Sequence, residues 1–226
     1  MQTEILYRPS FSMTRVKLSP GEEVRVEGGA MVGMSEGVAI ETKMQGGFLK
    51  SLARSVLGGE SFFVNTYKAP AQGGEIHLAP ALPGDMFVLE LQNEAMLVQS
   101  GAFVASASSV EISTSWGGAK GFFGSGGLIL LKATGSGPLV LASYGAIHEL
   151  DLAAGQKYTI DTGHIVAFSE KVGFQVRRVG GMKSTLLSGE GLVVDLSGPG
   201  RVLMQTRSTD AFLSWLIPQL PKSNNN

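Results

Sequence analysis

The sequence predicts an all-β fold of three tandem repeats, each of β-sandwich or double-stranded β-helix type, related by an internal pseudo-threefold. One observation is a motif written three times. Gly29-Ala30-Met31-Val32-Gly33, Gly101-Ala102-Phe103-Val104-Ala105 and Gly163-His164-Ile165-Val166-Ala167 share a Gly-x-apolar-Val-small pattern. Beyond each copy the apolar alternation returns in step, at Val38/Ile40, Val110/Ile112 and Val172/Phe174. A second observation is the alternation itself, since a period of two buries one face of a strand and wets the other. The third is glycine, 31 of 226 residues. It stands singly and in pairs between short Val-, Leu- and Ile-rich runs, as turns between many strands require.

The elements follow in order. Each repeat opens on a turn: Leu18-Ser19-Pro20-Gly21, Leu82-Pro83-Gly84 or Leu152-Ala153-Ala154-Gly155. Glycine stands where a positive φ suits the turn. Glu22, Asp85 or Gln156 comes next, and then an alternating strand: Val24 and Val26; Phe87, Leu89 and Leu91; Tyr158 and Ile160. The Gly-x-apolar-Val-small motif and its own strand come after. A glycine-flanked insert with a lysine then interrupts each repeat, at Gly46-Gly47-Phe48-Leu49-Lys50, Gly117-Gly118-Ala119-Lys120 and Gly180-Gly181-Met182-Lys183. Strands resume at Phe62–Asn65, Leu128–Lys132 and Leu192–Leu196, and the last ones are Glu75–Leu78, Leu139–Ser143 and Arg201–Gln205. Gly135-Ser136-Gly137 and Gly198-Pro199-Gly200 predict hairpins between the final strands of the second and third repeats.

Two helices are expected. Phe48–Leu57 carries apolar residues at 48, 49, 52 and 56, with Lys50 and Arg54 four apart on another face. Thr209–Ile217 places Phe212, Trp215 and Leu216 at helical spacing and is stopped by Pro218. Nothing in the composition separates the repeats, about 18–80, 81–144 and 151–208, so one domain over residues 1–217 is expected, followed by a disordered tail over 218–226.

Composition narrows the function. The formal net charge is −1, so no global field would draw nucleic acid, and no nucleic-acid partner is expected. There is no cysteine, which excludes thiolate catalysis and cysteine-based metal sites. Met1–Ser12 lacks the apolar core and basic flank of a signal peptide, and no apolar run is long enough to span a bilayer. A cytoplasmic protein is expected, peripheral at most to the inner face of a membrane.

Leu18-Ser19-Pro20-Gly21-Glu22, the Gly29-Ala30-Met31-Val32 box, the three glycine-flanked inserts and Asp161-Thr162-Gly163-His164-Ile165-Val166-Ala167-Phe168 carry a resemblance. In that order they resemble the mitochondrial-biogenesis "altered inheritance of mitochondria" twenty-four family, in its bacterial branch, over residues 1–217. The resemblance implies a β-rich fold related to that of the tryptophan-RNA-binding attenuation protein, tandem repeats, and a homotrimer of pseudo-ninefold character. Its mitochondrial members are linked to inner-membrane organisation. It offers no catalytic residue to carry over, and fold likeness alone implies no RNA binding.

The residues that invite chemistry have plainer readings. His77, His148 and His164 fall in no HxH or HExxH arrangement, and His148 would face away from Glu149 and Asp151 on a strand. Ser125, between Gly124 and Gly126, lacks the spacing and strand-to-helix setting of a nucleophile elbow. The glycine–lysine segments match no phosphate-binding fingerprint. No enzyme, cofactor or metal is therefore expected. The inserts remain. A pseudo-threefold would bring Phe48, Leu49, Leu52, Phe122, Phe123, Met182 and Leu186 to one end, rimmed by Lys50, Arg54, Lys120 and Lys183. A basic-rimmed apolar surface suits a membrane interface or a protein partner. The expected role is a non-enzymatic scaffold or assembly factor; the alternative is a small-molecule binder or enzyme with a pocket between repeats.

Overall fold

The computed structural model describes residues 1–41, 56–57, 60–61, 64–113, 128–179 and 192–221, with the backbone alone at 56–57 and 60–61. The first stretch of chain forms β1 (Gln2–Leu6), β2 (Met13–Leu18), β3 (Glu23–Glu27), β4 (Met31–Met34), β5 (Ala39–Glu41), β6 (Val56–Leu57), β7 (Glu60–Ser61), β8 (Val64–Lys68) and β9 (Gly74–Leu78). The second forms β10 (Met86–Gln99), β11 (Phe103–Ala107), β12 (Val110–Ser113) and β13 (Leu130–Ala142). The third forms β14 (Ile147–Leu152), β15 (Lys157–Asp161), β16 (Ile165–Ser169), β17 (Gly173–Arg178), β18 (Leu192–Ser197) and β19 (Gly200–Gln205). The all-β expectation holds. Period-two alternation explains it locally: Val16 and Leu18 on β2, and Val24 and Val26 on β3, are all buried, with their neighbours turned outward.

Pairings of one kind follow in one order along all three stretches. In the first, β9 lies between β2 and β4, and β8 between β3 and β5. In the third, β19 lies between β14 and β16, and β18 between β15 and β17. In the second, β10 and β13 each serve both sets. The end of β13 pairs with the start of β10 and with β11; its beginning pairs with the end of β10 and with β12.

This corrects the expected hairpins. β18 and β19 do not pair with each other, and the Gly198-Pro199 connection hands the chain from one sheet to another. At Gly135-Ser136-Gly137 the strand does not reverse but runs on as β13. A Cβ on Gly135 would lie 2.3 Å from the Ser109 carbonyl oxygen, and its φ is +134°, so glycine there serves close passage rather than reversal. The opening of the second stretch also differs. The strand at Phe87–Leu91 pairs as β2 and β14 do, and the counterpart of the turn before Val24 is the register shift at Gln92/Glu94, where Asn93 takes φ 56°. The register, invisible in sequence, outweighed the likeness of Leu82-Pro83-Gly84 to Leu18–Gly21.

The remaining corrections are local. Val56 and Leu57, expected to end a helix, form β6 paired with β7. The rest of that expected helix lies outside the described residues. The C-terminal helix is present as α1 (Thr209–Leu216), capped by the Ser208 side chain accepting from the Ala211 N–H. A 3-10 turn over Ile217–Gln219 continues beyond the expected end of the domain.

The motif strands do the joining. β11 pairs with β3, Ala105 opposite Val26 and Ala107 opposite Val24. β16 pairs with β10, Ala167 opposite Val98 and Ser169 opposite Met96. One sheet therefore runs β14-β19-β16-β10-β13-β11-β3-β8-β5. Each motif strand carries the same bulge, between Met31 and Gly33, Phe103 and Ala105, and Ile165 and Ala167. The extra residue is the motif valine. A bulge re-aims a side chain, and here it sends Val104 into the cluster of Val24, Val26 and Ile76, and Val166 into the cluster of Leu131, Leu139 and Phe103. Val104 and Val166 are 1% and 0% exposed; Val32 is 60% exposed, because β4 is a sheet edge among the described residues.

A buried carboxylate fixes the link between the first two stretches. Asp85 accepts two hydrogen bonds from the Arg8 guanidinium, at 2.9 and 2.8 Å, one from Ser12 Oγ at 3.0 Å and one from the Met86 N–H at 2.8 Å. Beside it the chain passes so close that a Cβ on Gly84 would sit 1.9 Å from the Ser143 oxygen. Burial pushes the Asp85 carboxyl up, but Arg8, Met86 and Ser12 outweigh it and hold it below its ordinary value. A depressed carboxyl contributes stability above its unfolded pKa and loses it as pH falls through the folded pKa. Asp85→Ala is expected to lower the unfolding free energy by about 1–3 kcal/mol at neutral pH, read from urea midpoints. The gap between wild type and Asp85→Asn should narrow below about pH 4.

Candidate functional site

The residues singled out in the inserts, Phe48, Leu49, Lys50, Leu52, Arg54, Lys120, Phe122, Phe123, Met182, Lys183 and Leu186, lie outside the described residues, as does Ser125. Their points of departure are described. The inserts interrupt corresponding hairpins: β5 with β8, closing at Glu41 opposite Thr66; β12 with β13, at Ser113 opposite Lys132; β17 with β18, at Arg178 opposite Leu192.

A cleft of about 530 Å³ lies elsewhere, where the ends of several strands meet α1. Tyr144, Gly163, Gln205, Ser208 and Leu213 are among its walls. Gln205 is its keystone. Its side-chain oxygen accepts from the Tyr144 N–H at 2.9 Å, and its amide nitrogen donates to the Gly163 oxygen at 2.8 Å. Ser143 Oγ donates to the Gly145 oxygen at 2.7 Å, and Thr162 Oγ1 to the Leu192 oxygen at 3.2 Å. The Phe212 ring meets Tyr144 edge-on at 6.0 Å between centroids and seats α1 over the cleft. Sequence reasoning passed over Gln205 and Tyr144, since a glutamine ending a strand and a tyrosine after one carry no signal; only the fold brings them together.

The histidines stay apart. His164 Nδ1 lies 2.7 Å from the Gln205 backbone oxygen, His77 Nε2 is 3.6 Å from Glu75, and His148 stands opposite Met204 on the outer edge of β14. Among the described residues no three His, Asp or Glu side chains gather as metal ligands would. Chemically the cleft offers the amide of Gln205 and the hydroxyls of Ser143 and Thr162, engaged with backbone, together with the carboxylates of Glu27 and Asp210.

The model of the family described as "Mitochondrial biogenesis AIM24" matches residues 3–207. The chain belongs to the mitochondrial biogenesis AIM24 family. It is similar to an uncharacterised protein of Streptococcus pyogenes serotype M6, 30% identical over 224 residues that cover 95% of this chain and 89% of the relative. A crystal structure of a Streptococcus pyogenes protein, from a structural genomics programme, matches with a TM-score of 0.81 at 28% identity, over 97% of this chain and 99% of that one. The AIM24 fold thus accounts for almost the whole chain. No helix among the described residues is long and apolar enough to cross a membrane.

Gln205→Ala removes both bonds that tie the cleft wall together. It is expected to cost about 1–3 kcal/mol and to speed hydrogen exchange at the Tyr144 amide; unchanged exchange there would deny Gln205 its anchoring role.

Proposed function

We infer that this AIM24 protein is a non-enzymatic scaffold, acting as an oligomer whose glycine-flanked inserts dock on an anionic membrane surface. The observation that supports the reading is the pairing of the described strands that flank each insert. Each insert in sequence joins two strands that pair antiparallel, β5 with β8, β12 with β13 and β17 with β18, which supports reading the three apolar-basic segments as counterparts. Exposed apolar side chains elsewhere add to it: Tyr7 and Phe11 on the loop before β2, and Trp215, Ile217 and Leu220 at the C-terminal end. Apolar contact supplies burial, and each lysine or arginine near an anionic leaflet contributes about 1 kcal/mol. Several copies on one assembly, the homotrimer implied by the family resemblance, multiply weak contacts into avid ones. Cytoplasmic residence at the inner face of a membrane fits this reading.

The cleft favours a second reading, a small-molecule site, because its volume falls in the usual range for ligand pockets. Gln205, Ser143 and Thr162 in its walls spend their polar groups on the fold, which weighs against it.

Vesicle co-sedimentation tests the scaffold reading. Wild type should sediment with anionic vesicles and remain in solution with neutral ones. Lys50/Lys120/Lys183→Glu should bind about tenfold more weakly or worse. Equal behaviour of the two proteins, or no binding by either, contradicts it.

A further inference from the structure

We propose that the cleft beside α1 is a binding site for a small organic cation, an alkylammonium or guanidinium compound. The site is separate from the inserts and goes beyond the scaffold role. All three stretches of chain supply the cleft with the same two pieces. One is the end of the strand that precedes each motif: Glu27 ends β3, Gln99 ends β10, and Thr162 follows β15. The other is the departure from the strand that closes each stretch: Leu82 beyond β9, Tyr144 beyond β13, and Gln205 at the end of β19. Ligand pockets favour places where separate units of a fold meet, and here three do.

The polar groups in the walls fall into two sets. Gln205, Ser143 and Thr162 are committed to backbone. The Gln99 amide and the Asp210 carboxylate are not: among the described residues neither side chain has a hydrogen-bond or ion-pair partner. Gln99 is held at the cleft by the glycine of its own motif. A Cβ on Gly101 would lie 3.3 Å from Gln99 Oε1, so the amide lies across a residue without a side chain. The motif glycine of the third stretch does the same for the helix cap, since a Cβ on Gly163 would lie 2.5 Å from Ser208 Oγ.

Charge decides the ligand. Among the described residues Glu27 and Asp210 are the only charged side chains in the walls, and no lysine, arginine or histidine lines them. The bases next to lining residues in sequence turn to backbone: Arg207 Nη1 donates to the Thr206 oxygen at 3.1 Å, and His164 Nδ1 lies 2.7 Å from the Gln205 oxygen. A cleft lined by one sign of charge favours the opposite sign and repels its own. The amide oxygen of Gln99 adds an acceptor for an ammonium or guanidinium N–H. Leu82, Ile165 and Leu213 supply apolar wall, and Leu213 is 41% exposed, a side chain that the alkyl part of such a ligand would cover.

The probes are n-pentylamine, n-pentanol and pentanoate, which carry one alkyl chain with a positive, a neutral and a negative head. Each is titrated into isotope-labelled protein at constant ionic strength and followed by NMR. Pentylamine should shift the amides of Gly101, Gly163 and Leu213 saturably, with a dissociation constant of about 1–10 mM. Pentanol should bind more weakly, and pentanoate should leave these amides unmoved. Asp210→Asn and Glu27→Gln should each weaken pentylamine about two- to fivefold, and the double variant about tenfold. Asp210 is exposed, so its variant decides the matter even if Glu27→Gln lowers the urea midpoint. Lys50/Lys120/Lys183→Glu should bind pentylamine as wild type does, which separates this site from docking by the inserts. Equal shifts from all three probes, shifts that never saturate, no shift with pentylamine, or wild-type binding by Asp210→Asn would each overturn the proposal.

Discussion

The bulged motif strand is the contact on which this structure depends. A β-sandwich made of two small half-sheets has many edges and little core. Here β11 and β16 convert edges into sheet by pairing with the stretch before them, and their bulges turn Val104 and Val166 into that stretch's apolar cluster. Backbone pairing and side-chain burial thus happen at the same residues. The result is one ten-stranded sheet, β12 included, that runs through all three stretches.

From this follows the handling of the connections. The first and third stretches each feed two sheets, so β8 and β9, and β18 and β19, do not fold back on one another as hairpins. The glycines at 135, 198 and 200 let the chain pass close to other backbone where a side chain would collide. Asp85, clamped by Arg8 and Ser12, fixes the passage between the first two stretches. Gln205 and the Tyr144–Phe212 contact close the far end under α1.

The all-β class, most strands and α1 were legible because period-two alternation and capping are local signals. The threefold spelling of Gly-x-apolar-Val-small was legible too, but its meaning was not. In sequence the motif reads as filler for three equivalent core positions. In the structure Val104 and Val166 dock into the neighbouring cluster, while Val32, spelled alike, is open to solvent. Nothing local distinguishes them; only sheet order does. For the same reason Leu82-Pro83-Gly84 passed for a copy of Leu18–Gly21, and Gln205 for an ordinary strand residue. Pairing register and long-range hydrogen bonds leave no trace in spacing. The insert residues were picked out by composition, and the described structure reaches their flanking strands.

The central claim is that the bulged motif strands join one stretch to the next by backbone pairing and side-chain burial at the same residues. Hydrogen exchange at the Glu170 amide tests it most directly, since that N–H is held by the Ala95 oxygen where β16 meets β10. Slow exchange at Glu170 in wild type, made markedly faster by Val166→Ala, is the predicted result. Exchange at Glu170 as slow in Val166→Ala as in wild type would contradict it.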